Sequence, residues 1–185
     1  KNIVVILPMR SGSQRVINKN SRIIKDKRLY EYIIDKLLSF SIISKIVINT
    51  DIESVHKKYH SNNNIKLIKR SENLRGNCDI NLVISESINI IESDLFVQVH
   101  ATNPLFNLST LENAINYYFS NDDKFDSLFS VTKIYKRFWY ENGIPVNHSL
   151  ENEPTTQDLI PYYEENSCFY LFTKETFLKK NNRIG

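Results

Sequence analysis

Short runs of branched apolar residues alternate along this chain with stretches whose apolar positions recur every three or four residues. Ile3-Val4-Val5-Ile6-Leu7 is apolar at every position, the pattern of a parallel strand buried on both faces. Pro8 has no N–H to give a ladder and predicts the strand's end. Leu29, Ile33 and Leu37, joined by Tyr30, Ile34 and Leu38, predict an amphipathic helix ending near Phe40. Residues 45–49 predict a second strand, and Asp51 is placed to cap a helix carrying Val55 and Tyr59. Beyond a turn at 61–64, residues 65–69 predict a third strand, 80–91 a helix, and 95–99 a fourth strand. Ser109 with Glu112 makes a capping-box pattern ahead of a helix through Tyr118. Residues 127–133 and 168–172 predict two more strands, and Thr173 opens a last helix.

This rhythm predicts an α/β fold, a parallel or mixed sheet flanked by helices. It breaks over about 135–165, where Trp139, Tyr140 and an Asn142-Gly143 turn predict a hairpin excursion from the sheet. With 185 residues and no internal repeat, residues 1–185 suit a single domain.

Composition narrows the class. Hydrophobic content of 41% and charged content of 24% are those of a water-soluble globular protein, and no apolar run approaches a membrane span. A secretory leader is not visible, so the expected setting is cytoplasmic. Cys78 and Cys168, far apart and without a CxxC pattern, give neither a disulfide framework nor a zinc signature, and both are expected to be buried. His56 and His60 sit four apart, but a third ligand and an HExxH pattern are missing.

Charge is uneven. Residues 1–30 carry eight Lys or Arg against one acidic residue, and the rest of the chain carries sixteen against twenty. Those early cations are not interleaved with aromatics for base stacking, which argues against a nucleic-acid arm and for a compact anion. They follow the first strand, whose carboxyl end is where open α/β sheets bind ligands. Gly12 between Ser11 and Ser13 lets backbone N–H groups approach an anion, and Arg10, Arg15 and Lys19 offer charge-assisted donors to phosphate oxygens. The loop lacks the second glycine and Lys-Ser/Thr of a Walker A motif.

Arg10-x-Gly12-Ser13-x-x-x-x-x-Lys19-Asn20 after a buried strand resembles the N-terminal signature of the acylneuraminate cytidylyltransferases. Further matches follow in order: the Asn49-Thr50-Asp51 strand end, Arg70, the loop through Asn77, Thr102, Pro104 and Leu105, Gln157-Asp158-Leu159, and Asn166 to Tyr170. The chain departs from the family pattern at several points. Gln14-Arg15 stands where Lys-Gly is common, Ser71 follows Arg70 in place of proline, and Asn77 replaces Asp. His100 replaces Gln, and Ser167 replaces Gly.

The resemblance implies a three-layer, mostly parallel Rossmann-like sheet of the nucleotide-diphospho-sugar transferase type. It implies transfer of CMP from CTP to a sialic-acid-like sugar, with Arg10 and Lys19 as catalytic cations. Pro8, Gly12, Ser13, Arg15, Asn20, Arg70 and Asn77 would hold the nucleotide, and His100, Asn103 and Gln157 would face the sugar. Mg²⁺ is the implied cofactor, yet the family's C-terminal Asp-x-Asp element is absent, so no metal ligand is assigned; Asp51 and Asp158 carry no motif for that role. The end of the family domain is therefore expected to be missing, or metal-dependent activity lost. Family members use a section like 135–165 to dimerise, which implies a homodimer. A nucleotidyltransferase for Kdo or another sugar, and an inactive CTP- or CMP-sugar-binding module, stay open as alternatives.

Overall fold

A computed structural model describes residues 1–13, 15–152 and 154–185. The chain opens with β1 (Ile3–Met9), a small hairpin of β2 (Ile23–Ile24) and β3 (Lys27–Arg28), and α1 (Leu29–Leu38). Then come β4 (Lys45–Thr50), α2 (Glu53–Tyr59), β5 (Ile65–Lys69), α3 (Ile80–Ile88), β6 (Leu95–Val99) and α4 (Leu108–Phe119). β7 (Ser127–Ile134), β8 (Tyr162–Phe172) and α5 (Lys174–Lys180) complete the order. The large sheet runs β5-β4-β1-β6-β8-β7. Its first four strands are parallel and β8 is antiparallel to β6, so the α/β fold expected from the alternating pattern and the mostly parallel sheet implied by the resemblance are the ones observed.

The chain divides into two compact units, residues 1–129 with 168–185, and residues 130–167. The larger unit has three layers because the alternation of side chains along each strand feeds two separate apolar clusters. Ile3, Val5 and Leu7 of β1 join Ile33, Leu37, Val55 and Leu111 from α1, α2 and α4. Val4 and Ile6 join Ile84 and Ile88 of α3 and Phe177 of α5. Each such aliphatic side chain, fully withdrawn from water, contributes roughly 1.5–3 kcal/mol.

Several local expectations are corrected. β1 does not stop at Pro8 but continues to Met9, paired with Thr50. The ladder to β6 ends at Ile6 opposite Gln98, so on that side Pro8 lies past the last bond and its missing N–H breaks nothing. Asn107, not Ser109, caps α4: its side chain accepts from the Ser109 N–H, which starts the helix earlier than the capping-box pattern suggests. α3 ends at Ile88, because the segment beyond is tied to the start of the chain, Asn2 donating to Asp94 Oδ2 at 2.7 Å and to the Glu92 carbonyl at 2.8 Å. Asp51 does not cap α2, whose first turn has no side-chain cap. Both cysteines are half-buried rather than buried, and among the described residues no disulfide joins them.

In the smaller unit, the Asn142-Gly143 hairpin forms. Gly143 at φ 79° donates to the Tyr140 carbonyl, and a bridge joins Trp139 to Pro145. Asn166 cross-links its strands, accepting from Ser130 Oγ at 2.6 Å and donating to Thr132 Oγ1 at 3.1 Å.

Candidate active site

β1 lies between β4 and β6, and the chain builds first toward β5 and only later crosses to β6. Loops leaving the carboxyl ends of these strands therefore part from one another, and the gap between them is the ligand crevice of such sheets. Here it holds a cavity of about 470 Å³. The loop after β1 contributes Arg10, Ser13, Arg15, Lys19 and Asn20, with Pro8 at its root. Arg70 and Asn77 come from beyond β5, and His100 and Thr102 from beyond β6.

The first loop is fastened at both ends. Ser11 donates from its backbone N–H and its hydroxyl to the two oxygens of Asp51, at 2.8 and 2.7 Å. Buried Asn20 donates from Nδ2 to the Arg10 carbonyl at 3.0 Å, closing the loop on itself. Arg10 then crosses to the 70s loop, where Nη1 donates to Asn77 Oδ1 at 2.8 Å and to the Gly76 carbonyl. Gly76 stands at φ 73°, a backbone region costly for any residue with a Cβ. Gly12, by contrast, has space around it: a Cβ there would meet nothing within 4 Å.

Arg70 is only 4% exposed. Its Nε and Nη2 donate to the side-chain and main-chain oxygens of Asn49, at 3.1 and 3.0 Å. Asn49 is itself oriented by Glu86, which accepts from its Nδ2 at 2.7 Å and from Ser71 Oγ. Burial pulls the Arg70 guanidinium down from its ordinary value, opposed by the charge of Asp51, and it stays a cation. Arg10, Arg15, Lys19 and Arg70 thus line one cavity, and among the described residues none forms an ion pair with a carboxylate. Four positive groups with no ion pair to a carboxylate among the described residues make a site for a polyanion.

The structure brings nine of the sequence-predicted site residues to this cavity: Pro8, Arg10, Ser13, Arg15, Lys19, Asn20, Arg70, Asn77 and His100. Gly12 and Asn103 are not in its wall. Gly12 sits at the exposed tip of a turn closed by Ser13 N–H on the Ser11 carbonyl, and Asn103 closes a turn on the His100 carbonyl. Gln157 belongs to the smaller unit, in a 3-10 turn beside Tyr135. Gln14 lies outside the described residues.

The sequence assigns no site role to Asn49, Glu86 or Lys36. Lys36 of α1 donates to the carbonyls of Pro104 and Phe106 at 2.6 and 2.8 Å, holding the loop after β6. A signal for Asn49 does exist: a polar side chain in a run of buried strand residues needs a buried partner.

Among the described residues no group of three or more His, Cys, Asp or Glu is placed to hold a metal ion. Both oxygens of Asp51 are taken by Ser11, and Asp158 Oδ2 accepts from Thr155. Among the described residues, neither Asp51 nor Asp158 has other carboxylates gathered with it as a Mg²⁺ site would need.

Comparison with known proteins places these features in context. The sequence model of a family described as cytidylyltransferase matches residues 4–184. The pseudaminic acid cytidylyltransferase of Campylobacter jejuni is 26% identical over 193 residues, covering 98% of this chain and 82% of that protein. The N-acylneuraminate cytidylyltransferase of Escherichia coli is 26% identical over 189 residues, covering 99% of this chain and 45% of that protein. A solved structure of a CMP:2-keto-3-deoxy-manno-octonic acid synthetase complexed with CTP superposes with a TM-score of 0.73 at 13% identity, over 97% of this chain and 77% of that one, a likeness of fold.

Proposed function

Because the chain belongs to the cytidylyltransferase family, we propose that it transfers CMP from CTP to the anomeric hydroxyl of a nonulosonic, sialic-acid-like sugar. In this reading the sugar oxygen bonds to the α-phosphorus, the bond from that phosphorus to the oxygen bridging to the β-phosphate breaks, the hydroxyl proton passes to solvent, and pyrophosphate departs. The observation that carries it is the set of four cations gathered in one cavity at the strand ends. Relatives named for pseudaminic and N-acylneuraminic acid supply the sugar class.

Arg10, Arg15 and Lys19 would neutralise the phosphates, which is most of what phosphoryl transfer asks of a protein. Arg70 and Asn77 would hold the cytidine half. His100 would meet the sugar. A divalent ion would be bound chiefly by phosphate oxygens, as Mg²⁺ commonly is. A homodimer belongs to the same reading, supported by the exposed Trp139, Tyr140 and Tyr163 of the 130–167 unit, and its check is the mass in solution.

Pyrophosphate release from CTP, with pseudaminic acid, N-acetylneuraminate and Kdo as acceptors, tests the proposal. Turnover with one of the first two is expected. CTP binding without turnover on any acceptor would leave a binding module instead, and turnover with Kdo alone would move the assignment to that sugar.

A further inference from the structure

Arg70 is held along one edge of its guanidinium. Nε and Nη2 donate to the side-chain and main-chain oxygens of Asn49 at 3.1 and 3.0 Å, which engages two of the five N–H groups. The other three belong to the Nη1–Nη2 end, and Arg70 lines the cavity. A guanidinium has donors only, so Asn49 must present its amide oxygen to Arg70 and turn its NH₂ the other way. On that side Glu86 Oε2 accepts from Nδ2 at 2.7 Å, and Ser87 Oγ lies 3.5 Å off, its own hydrogen already given to the Val83 carbonyl. Glu86 is steadied in turn by Ser71, whose Oγ donates to Oε1. Ser71 stands where the resembled family has proline, a residue with no hydroxyl to give. No ion pair joins Glu86 to Arg70 among the described residues. Asn49 thus keeps the carboxylate one side chain away from a cation that a direct contact would neutralise.

We propose that Asn49, Glu86 and Ser71 are positioning residues that fix the guanidinium of Arg70 by its Nε–Nη2 edge and so present its Nη1–Nη2 end to an oxygen acceptor on the ligand. None of the three lines the cavity, and each acts through Arg70. The ligand side of this inference rests on the function proposed above, in which Arg70 meets the cytidine half of CTP: the acceptor is then a carbonyl or hydroxyl oxygen of the nucleoside.

Arginine side-chain NMR on the full chain, with Arg70→Lys for assignment, reads the hold on Nε with no ligand present. In wild type the Arg70 Nε–H is expected to exchange with water about tenfold or more slowly than those of exposed arginines. Glu86→Met and Ser71→Ala should both quicken it, and Ser71→Thr, which keeps the hydroxyl, should restore the wild-type rate. Should Glu86→Met fail to fold, Ser71→Ala at its half-buried position decides the point. Calorimetric titration with CMP, CTP and inorganic pyrophosphate reads the consequence. Glu86→Met should weaken CMP and CTP about tenfold and Ser71→Ala about threefold, while pyrophosphate stays within about twofold. Rapid Nε–H exchange in wild type, or an unchanged rate in both variants, overturns the relay. So does an equal loss of pyrophosphate affinity, which would mark general damage to the cavity. Faster exchange with unchanged CMP affinity overturns its part in ligand binding. If the wild-type chain binds pyrophosphate but neither CMP nor CTP, while the Arg70 Nε–H stays protected, the proposed function fails and the hold on Arg70 stands.

Discussion

The carboxylate of Asp51 accepts two hydrogen bonds from one residue, Ser11, at 2.8 Å from the backbone and 2.7 Å from the hydroxyl. A residue that reads in the sequence as a helix cap is instead the peg of the loop after β1. Asp51→Ala should loosen that loop and weaken CTP binding about tenfold, with little loss of stability. Asp51→Asn keeps a carbonyl oxygen for the Ser11 N–H and should lose less. Calorimetric titration with CTP measures both, and wild-type affinity in Asp51→Ala would show that the tether is idle.

Arg70 depends on Asn49 in the same way. Asn49→Leu leaves a buried guanidinium without the side-chain oxygen that Nε now uses, and should cost roughly 1–3 kcal/mol in urea unfolding. Saturating CTP should recover part of that loss, because an anion returns a partner to the charge. Glu86→Gln, which disturbs only the group orienting Asn49, should cost less than Asn49→Leu.

Four cations in one cavity make CTP binding sensitive to ionic strength. Affinity should fall steadily between low and physiological salt, and the slope should shrink in Lys19→Met or Arg15→Met. A salt-independent affinity would mean that these groups do not meet the triphosphate.

Tyr59 is 6% exposed, and its hydroxyl has no hydrogen-bond partner among the described residues. Burial, reinforced by the charges of Asp35 and Glu31, pushes this phenol above its ordinary range. The unfolded chain ionises tyrosine near pH about 10, losing a proton the native state keeps, so stability falls as pH rises past that point. Tyr59→Phe should flatten this alkaline loss and be neutral or about 1 kcal/mol stabilising at pH 7, as read from urea midpoints at both pH values.

Ser167 stands at φ 55°, in the left-handed region. Ser167→Gly should raise stability by about 0.5–1 kcal/mol, since glycine takes this conformation without a Cβ clash. An unchanged or lowered midpoint would show that the serine side chain offsets the strain.

What could be read from the sequence was what neighbouring residues decide. The all-apolar run of β1, the helical spacing from Leu29 to Leu38 and the cluster of cations after Leu7 each declare themselves within a dozen positions. The partners of the functional groups do not. Arg70 answers to Asn49 and Glu86, and Arg10 to Asn77, so their pairing exists only once the sheet has assembled. Pro8 misled for a related reason: whether a missing N–H matters depends on where the next strand ends.

Asn49 and Asp51 stand two residues apart at the end of β4, one gripping Arg70 and the other Ser11. A slip of one position in the pairing of β4 would turn both away together. The pairing of this one strand therefore sets two supports of the binding site at once, so a mispaired β4 would lose the hold on Arg70 and the anchor of the first loop together.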